Sequence, residues 1–364
     1  MKVLYFDSIM PESQNGGNIG FVRNLAMVRY VFGRENVYEC SLHTPSGLQR
    51  LINYALDRSY YSCNINDRII SEAIACGPYD FIFLNGPLVY KYIKPFLANN
   101  PIVYLYCHNV DYDYYRNKYE HSKSAPDLFM SKYIKRMESY VVKKSALIST
   151  LNSRDAQSLK RWYNREADYI LPIAMDDLGE ESLNTCGSPS VYYGLFVGSA
   201  IAPNIEGLKW FFENVAPFTK GLQYKIVGSC CDYFRNQDLP SNVILEGGVD
   251  DLDSFYRNAS FVICPIFSGS GMKTKTIEAL RYGKTIIGTK EAFEGIDVNF
   301  DGVGLKSDNP EDHIKKILEL DLKSLINEVS LSEFKDKFTY SVVFDKFKNI
   351  VSNYLQSLAS LKIC

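Results

Sequence analysis

The sequence has no excess of charge of one sign and no long apolar segment. Its 40 lysines and arginines are balanced by 42 aspartates and glutamates, a net charge of −2, so no overall basic field favours a nucleic-acid partner. No apolar run approaches the roughly 20 residues that cross a bilayer as a helix. The chain opens on a strand-like apolar segment and lacks the pattern of a signal peptide. We therefore expect a cytoplasmic protein that binds no nucleic acid.

Metal-binding and disulfide patterns are missing as well. The nine cysteines include no C-x-x-C pair and no spacing typical of zinc ligands. Most of them lie in apolar segments, as Cys107 and Cys264 do. Reduced thiols that serve as small apolar side chains have this distribution. The sequence therefore predicts no metal site.

The length of the chain and its alternating pattern predict two α/β domains. At 364 residues the chain is long for one hydrophobic core and sufficient for two of similar size. Short apolar strands alternate with helical segments, which is typical of parallel sheets. We place the first domain at residues 1–174, a linker at 175–190, the second domain at 191–340 and a final helix at 341–364.

The most informative segment of the second domain runs from residue 261 to residue 288. A strand is predicted at 261–264, a loop with Gly269 and Gly271 follows, and a helix is predicted from about residue 273 to residue 282. Gly283 stands where a helix ends on a left-handed residue. With a second strand at 285–288, the segment forms one right-handed βαβ unit.

The loop of this unit has the chemistry of an anion site. Backbone amides at a helix start bind phosphate well where glycine removes side-chain crowding. Lys273 and Lys275 add positive charge in the first turn, where the helix dipole disfavours a cation. Glu278, one turn later, is placed to accept hydrogen bonds from the diol of a ribose. The alternative is an ordinary exposed pair of Lys275 and Glu278.

A second glycine-rich loop follows the first predicted strand. Gly16, Gly17 and Gly20 precede a helix that we expect to begin near Phe21. A dinucleotide site is one interpretation. However, the G-x-G-x-x-G spacing is missing, and about ten residues separate the strand from the glycines, whereas that fold uses an immediate turn. The pattern therefore does not favour a dinucleotide.

His108 is the leading candidate of the first domain. It follows the strand predicted at 101–107, and the carboxyl ends of parallel strands are where α/β folds bind ligands. The alternative is a histidine satisfied by backbone groups. Asp111 and Asp113 resemble a D-x-D metal motif, but we interpret them as acidic residues of a solvated loop. Asp111 is close enough in sequence to orient His108.

The segment 131–144 predicts an amphipathic helix. Its apolar residues share one face, and five lysines and arginines lie off that face. A helix with its apolar face in the core and a solvated basic back has this pattern. Peripheral contact with anionic lipid is the alternative.

The pattern P-x-x-x-G-S-G-x-K-x-K-x-x-E-A-L-x-x-G-K at residues 265–284 resembles the donor-binding segment of GT-B glycosyltransferases, in particular glycosyltransferase family four, the group 1 glycosyltransferases. The segments 194–212, 225–228 and 243–249 match the same family, so the likeness covers about residues 191–296. It implies a GT-B fold: two Rossmann-like domains whose parallel sheets face a central cleft, and a C-terminal helix that crosses back to the first domain.

The resemblance also implies an activity. Such enzymes move a sugar from a nucleoside-diphosphate sugar, of UDP or GDP type, to a hydroxyl group of a glycan or lipid-linked acceptor. Members of this family retain the anomeric configuration, need no metal and no further cofactor, and often serve surface polysaccharide biosynthesis. Alternatives are a non-catalytic nucleotide-sugar-binding accessory subunit and a sugar-nucleotide epimerase.

The family pattern maps onto named residues. Catalytic roles fall on His108, Lys273 and Glu278. The implied contacts to donor or acceptor are Gly17, Gly198, Asn204, Gly247, Val249, Ser268, Gly269, Ser270, Gly271, Met272, Lys273, Thr274, Lys275 and Glu278.

Two departures from the family pattern concern the donor. A glutamate common in the family is replaced by Ser270, which weakens the argument for catalysis and leaves the donor sugar open. The loop at 199–204 lacks the family's cation, and Lys209 is the nearest base. We expect Lys273, aided by Lys275, to supply the charge that holds the phosphates.

Overall fold

A computed structural model describes residues 1–9, 16–179, 183, 191–269 and 271–361. The chain divides into two compact units. Unit 1 comprises Met1–Pro172 together with Phe344–Cys364, and unit 2 comprises Ile173–Val343. Most of the linker predicted at 175–190 lies outside the described residues, so that boundary remains a prediction.

Unit 1 is built on a six-stranded parallel sheet. Its strands are β1 (Val3–Ile9), β2 (Val37–His43), β3 (Phe81–Leu84), β4 (Ile102–Cys107), β5 (Leu147–Thr150) and β6 (Tyr169–Ile170). They are arranged in the order β2-β1-β3-β4-β5-β6. The helices are α1 (Gly16–Phe32), α2 (Gly47–Ala55), α3 (Asn64–Ala75), α4 (Asp111–Ser122), α5 (Ala125–Lys144) and α6 (Ser153–Tyr163). A 3-10 segment covers Tyr90–Asn99.

The core of unit 1 lies on both faces of this sheet, as expected for parallel strands. β3 is buried along its whole length. The ring of Phe83 stacks between Tyr5 and Tyr104, with centroid distances of 5.3 Å to each. Phe347 of the final helix packs edge-on against Phe83 and Tyr104. The C-terminal helix therefore completes the aromatic core of unit 1.

Unit 2 has a second six-stranded parallel sheet. Its strands are β7 (Tyr193–Val197), β8 (Gln223–Val227), β9 (Val243–Gly247), β10 (Phe261–Cys264), β11 (Thr285–Gly288) and β12 (Gly304–Lys306), in the order β12-β11-β10-β7-β8-β9. The helices are α7 (Ala202–Asn214), α8 (Cys231–Phe234), α9 (Leu252–Asn258), α10 (Thr274–Arg281), α11 (Phe300–Val303), α12 (Pro310–Leu318) and α13 (Glu328–Lys337). The last helix, α14 (Tyr340–Leu361), begins here and continues into unit 1.

Both sheets contain a point where the chain order reverses. In unit 1 it lies between β1 and β3, and in unit 2 between β7 and β10. Open α/β sheets bind ligands outside the carboxyl ends of the strands at such a point. The topology therefore directs attention to the loops after β1 and β3 in unit 1 and after β7 and β10 in unit 2.

Some local structure differs from the sequence prediction. α1 begins at Gly16, so Gly16, Gly17 and Gly20 lie in a helix and not in a loop before Phe21. The last strand of unit 1, β6, covers only Tyr169–Ile170, because it pairs only with the end of β5 at the sheet edge. The amides of a first helical turn lack carbonyl partners within the helix, so Gly17 is still placed to offer an N–H to an anion.

The long helices α5 and α14 do not have the character of a membrane span. Among the described residues, no helix combines the length and the apolar content that crossing a bilayer requires.

Lys284 is a buried cation that connects three segments of unit 2. Its Nζ donates hydrogen bonds to the carbonyl oxygens of Arg257, Ala259 and Leu325 at 2.9, 2.9 and 2.7 Å. The preceding Gly283, with φ of 59°, ends α10 and directs the chain into β11. The lysine thus joins the start of β11 to the segment before β10 and to the segment before α13.

Replacement Lys284→Met keeps the apolar stem and leaves three buried carbonyls without their charged donor. We expect the free energy of unfolding of unit 2 to fall by about 3 kcal/mol. Each unit contains one of the two tryptophans, Trp162 or Trp210. Urea unfolding followed by fluorescence in a Trp162→Phe background therefore reports unit 2. The exposed Lys323→Met is the control, and an equal loss in both variants would contradict the prediction.

Candidate functional site

The loops at the reversal point of unit 2 approach each other very closely, and glycine makes this possible. A Cβ on Gly207 of α7 would lie 1.6 Å from the carbonyl oxygen of Pro265, just after β10. A Cβ on Gly228, after β8, would lie 2.3 Å from the carbonyl oxygen of Gly198, after β7. The predicted Gly198 therefore sits where the ends of β7 and β8 are packed backbone to backbone, and α7 packs equally closely on the end of β10.

Lys275 connects the loop after β7 to the start of α10. Its Nζ donates to Oδ1 of Asn204 at 2.7 Å and lies 4.0 Å from the ring centroid of Phe196. Asn204 in turn donates from Nδ2 to the carbonyl oxygen of Ser199 at 2.8 Å. Burial lowers the pKa of Lys275 to about 8. Two predicted site residues thus meet, and Lys275 does not form the surface pair with Glu278 that was the alternative.

Lys273 has an acidic partner from another segment. Its Nζ lies 2.7 Å from Oε1 of Glu291 and 3.0 Å from the carbonyl oxygen of Gly271. Both charged side chains are largely buried, with 11% and 17% exposed. Glu291 belongs to a 3-10 turn, Glu291–Phe293, after β11. The predicted phosphate lysine therefore already has a carboxylate beside it.

Glu278 lies one turn into α10 and contacts an aromatic pair. The hydroxyl of Tyr256 donates to Oε2 of Glu278 at 3.4 Å. The ring of Tyr256 stacks on Tyr282 at 4.8 Å, and the hydroxyl of Tyr282 donates to Asp253 at 2.8 Å. The position of the Glu278 carboxylate is therefore defined by α9 and α10 together.

The remaining predicted donor residues are distributed around this edge of the sheet. Gly269 and Gly271 have φ values of 130° and 66°, which favour glycine, and a Cβ on Gly269 would lie 3.7 Å from Nζ of Lys273. Gly247 ends β9 with φ of 79°, and its carbonyl accepts from Gly228 at 2.6 Å.

The side chains among them differ in burial. Met272 is buried, Thr274 begins α10, Val249 follows β9, and Ser268 donates to Glu206 at 3.4 Å. Ser270 lies outside the described residues. The predicted cluster is thus brought together in space, while the role of each residue remains a prediction.

A groove of about 420 Å³ on unit 2 lies at the other end of the strands from the candidate site. It is lined by Tyr193, Gln223 and Lys225, near the amino ends of β7 and β8, and by Phe255 of α9. Lys225 there pairs with Glu246 at 3.0 Å. Because ligands of open α/β sheets bind at the carboxyl ends, this groove is separate from the candidate site.

Unit 1 has a cavity of about 160 Å³ at its own reversal point. It is lined by Asp7 and Ser8 of β1, by Asn85 and Gly86 after β3, and by further residues that include Tyr61, His108, Asn109 and Asp111. Apolar side chains of Phe6, Leu88 and Val89 complete the wall. A cavity of this kind, apolar with a few convergent polar groups, suits a small hydroxylated ligand.

The hydrogen bonds around His108 define its protonation. Asn85 donates from Nδ2 to the Asp7 carboxylate at 3.3 Å, so its Oδ1 faces Asn24 and His108, both at 2.7 Å. His108 therefore carries its proton on Nε2. Burial, with the nearby Arg23, lowers the pKa of His108 to about 4, so the ring is neutral near pH 7. Burial raises the pKa of Asp7 to about 6.

The two aspartates of the D-x-D segment have separate environments. Oδ1 of Asp113 accepts from Trp162 Nε1 at 2.7 Å. Asp111 lies near the fully buried Glu138 of α5, whose carboxylate accepts from the backbone N–H of Asp111 and Tyr112 at 3.0 and 3.1 Å. Burial raises the pKa of both carboxyls above their ordinary values, and the neighbouring Asp111 raises that of Glu138 further. The solvated loop expected here is thus a helix start capped by a buried carboxylate.

Several residues of these clusters were not predicted from the sequence. Asp7 and Asn85 follow the same rule as His108, since each lies at the carboxyl end of a strand beside the reversal point, and that rule could have identified them. Glu291 and Glu138 meet their partners across long sequence separations. No local pattern marks them.

Comparisons with known proteins bear on the family and the fold of the chain. A profile of the family described as glycosyl transferases group 1 matches residues 192–321, about a third of the chain. An uncharacterized 44.6 kDa protein in the cps region of Klebsiella pneumoniae is 22% identical over 242 residues. That match covers 61% of this chain and 60% of the relative, so the chain spans about three fifths of the relative's length.

Solved structures with the same architecture cover nearly the whole chain. HepE of Anabaena, in complex with UDP, has a TM-score of 0.67 at 12% identity, with coverage of 97% of this chain and 100% of that one. A glycosyltransferase of Rickettsia africae has a TM-score of 0.63 at 16% identity, with coverage of 97% and 99%. The lipopolysaccharide outer core galactosyltransferase WaaB has a TM-score of 0.59 at 11% identity, again covering 97% and 99%.

The predicted fold class, with two parallel α/β sheets of GT-B type, is confirmed by these neighbours. The predicted resemblance to the group 1 glycosyltransferases is confirmed by the family profile over the segment that contains Lys273, Lys275 and Glu278. The chain therefore has the GT-B fold of its solved neighbours, and its residues 192–321 match the family of group 1 glycosyl transferases.

Proposed function

We propose that this protein transfers a sugar from a nucleoside-diphosphate sugar to a hydroxyl group of a glycan or a lipid-linked acceptor. The observation that carries the proposal is the pair Lys273 and Lys275, held at the start of α10 beside the reversal point of unit 2. Two cations and the amides of a helix start form a site for a dianionic leaving group. No other cofactor is required by this chemistry.

The donor is bound by unit 2. The diphosphate lies near Gly198, Asn204 and the segment from Gly269 to Lys273, the ribose lies on Glu278, and the base lies near Gly247 and Val249. Support for a UDP-type donor comes from HepE, whose structures are described as complexes with UDP and with UDP-glucose. A GDP-type donor is the alternative.

The cavity of unit 1 takes the acceptor side of the reaction. Asp7, Asn85 and His108 offer both donors and acceptors to sugar hydroxyls. The neutral His108 neither repels nor attracts the donor by net charge. Gly17, at the start of α1, adds an amide to this side.

We propose that the reaction retains the anomeric configuration and needs no metal ion. The leaving diphosphate then takes the proton of the attacking hydroxyl, while the two lysines and the loop amides stabilise its charge. The protein contributes mainly by positioning the reactants. The relative in the cps region supports a role in polysaccharide biosynthesis.

The central test measures binding and turnover together. Thermal-shift measurements with UDP, GDP and ADP, and with their sugars, should show stabilisation by one nucleoside diphosphate. Incubation with its sugar alone should release free sugar slowly, and this release should persist in EDTA. Binding without release would favour the accessory subunit, and interconversion of donor sugars would favour the epimerase. Loss of activity in EDTA with rescue by Mn²⁺ would contradict metal independence.

Lys273→Ala should weaken binding of the nucleoside diphosphate by more than about tenfold, a loss above about 1.4 kcal/mol, because one phosphate loses its cation. Isothermal titration calorimetry measures the change. Lys290→Ala, an exposed lysine beside Glu291, is the matched control and should bind as the wild type does. Glu291→Gln should tighten binding, since the carboxylate that competes for Lys273 is gone. Unchanged affinity in Lys273→Ala would remove this residue from the site.

The pH dependence of binding should follow Lys275. With a pKa of about 8, its charge is present below that pH and lost above it. The affinity for nucleoside diphosphate should therefore fall as pH rises from 7.5 to 9, and binding at pH 8.5 should take up protons, because a phosphate favours the charged form (about one proton at most). Calorimetry in buffers of different ionisation enthalpy measures the uptake. Lys275→Arg should abolish it and Lys275→Gln should remove the pH dependence; uptake that persists in Lys275→Arg would disprove the assignment.

A further inference from the structure

The helix α2 of unit 1 turns its large apolar side chains towards solvent, the reverse of the usual arrangement. Its outward residues are large and apolar, with 71% of Leu48, 54% of Leu51, 40% of Ile52 and 55% of Leu56 exposed to solvent. Their spacing of three and four residues places them on one side of the helix. We name these four side chains the α2 apolar face.

The inward side of α2 carries hydrogen-bonded polar side chains beside Tyr54, which packs on Tyr133. Asn53 is fully buried and donates to the carbonyl oxygens of Tyr60 and Ser62 at 3.3 and 2.9 Å. Gln49 donates to Asn53 at 2.9 Å, and Arg50 donates to the hydroxyl of Tyr60 at 2.6 Å. These hydrogen bonds fix the rotation of the helix, so the leucines cannot turn inward without leaving buried polar groups unsatisfied.

Positive charges lie beside the α2 apolar face. Asp57, one residue after Leu56, pairs with Lys91 at 2.6 Å and with Arg136 at 2.9 Å. Arg58 is exposed. Tyr54 of α2 contacts the ring of Phe129 on α5 at 5.8 Å, and Phe129 and Lys132 are both exposed on that helix. We name the residues Arg58, Lys91, Lys132 and Arg136 the basic rim. Asp57 is paired with two of them.

The helix α5, the alternative membrane contact suggested by the sequence, has the ordinary orientation. The apolar side chains of Tyr133, Ile134, Met137 and Val141 are buried in unit 1. Its exposed cations Lys132 and Arg136 contribute to the basic rim, while Lys135 lies over the rings of Tyr112 and Trp162. The apolar part of the surface therefore comes from α2, not from α5.

We propose that the α2 apolar face and the basic rim together dock unit 1 onto the surface of a bilayer that contains anionic lipid. Exposed leucines on a helix lying flat can enter the boundary between headgroups and acyl chains, and lysines and arginines at the rim then meet lipid phosphates. A second copy of this chain would set two basic rims against each other. The charge of the rim therefore favours the lipid surface as the occupant.

Docking would bring the protein to the acceptor of the proposed reaction, because a lipid-linked glycan is available only at a bilayer. The docking itself does not require the activity. It can be measured without donor or acceptor, so failure of one proposal is distinguishable from failure of the other.

Flotation with vesicles tests the docking. The full chain should float with vesicles of phosphatidylglycerol and phosphatidylcholine, float less with phosphatidylcholine alone, and lose anionic binding as salt rises. The double variant Leu48→Ser, Leu51→Ser should bind anionic vesicles at least about tenfold more weakly. The matched control is Leu318→Ser, an equally exposed leucine of unit 2, which should bind as the wild type does.

The charge arm uses Arg58→Gln with Arg136→Gln, which should reduce binding to anionic vesicles and leave binding to neutral vesicles unchanged. Lys315→Gln with Lys323→Gln, two exposed lysines of unit 2, is its control. A third variant, Leu51→Trp, should shift its emission to the blue and be quenched by brominated lipid, whereas Leu318→Trp should not.

Three outcomes would overturn the proposal. They are wild-type protein that stays unbound, a Leu48, Leu51 variant that floats like the wild type, and a wild-type dimer in light scattering that this variant converts to monomer. The last outcome would assign the α2 apolar face to a second copy. Because the altered leucines are exposed, the variant should retain its thermal midpoint and its nucleotide binding, and these readouts establish that it is folded.

Discussion

The site of unit 2 depends on one partly buried cation, the ammonium of Lys275. It reaches from α10 to Asn204 at the start of α7 and lies against the ring of Phe196 in β7. The contact therefore joins the two sides of the reversal point, where the chain order in the sheet changes between β7 and β10. A buried charge is costly unless it is hydrogen-bonded, and the lowered pKa of Lys275 reflects that cost. An anion bound nearby would restore the stabilisation of the charged ammonium that burial removes. Stability and ligand affinity are therefore coupled at this side chain.

Lys273 solves the same electrostatic problem in a different way. Its charge is balanced by Glu291 within a largely buried pair. Removal of one member of such a pair leaves the other unbalanced, which is more costly than the pair itself. A phosphate that binds Lys273 must therefore compete with Glu291 or share the lysine with it. The pair keeps the glycine loop after β10 in place before a ligand arrives, at the expense of affinity. This preorganisation accords with an enzyme that must release its nucleotide product after each transfer.

The sequence was sufficient for features that depend on near neighbours. The strand at 261–264, the left-handed Gly283 and the strand at 285–288 were predicted to the residue, because chain geometry determines them locally. The same was not possible for Lys273 with Glu291, or for the carboxylate of Glu138 at the start of α4, since each contact spans 18 residues or more. The glycines at 16 and 17 were misplaced for a different reason. Glycine favours loops by propensity, but these two residues form the first turn of α1, where the amides lack carbonyl partners within the helix.

The helices α2 and α5 show why periodicity alone does not determine which face of a helix is buried. Both sequences place apolar residues on one side. In α5 this side is in the core, whereas in α2 the buried Asn53 and its partners hold the other side inward. Which face is buried depends on whether the polar face finds hydrogen-bond partners inside the fold. For α2 those partners, Tyr60 and Ser62, lie in the turn after the helix. Exposed leucine is unfavourable in water, so a helix fixed in this orientation implies a second environment for its apolar side. The neighbouring lysines and arginines specify that environment further. A bilayer surface offers hydrocarbon to the α2 apolar face and phosphate to the basic rim.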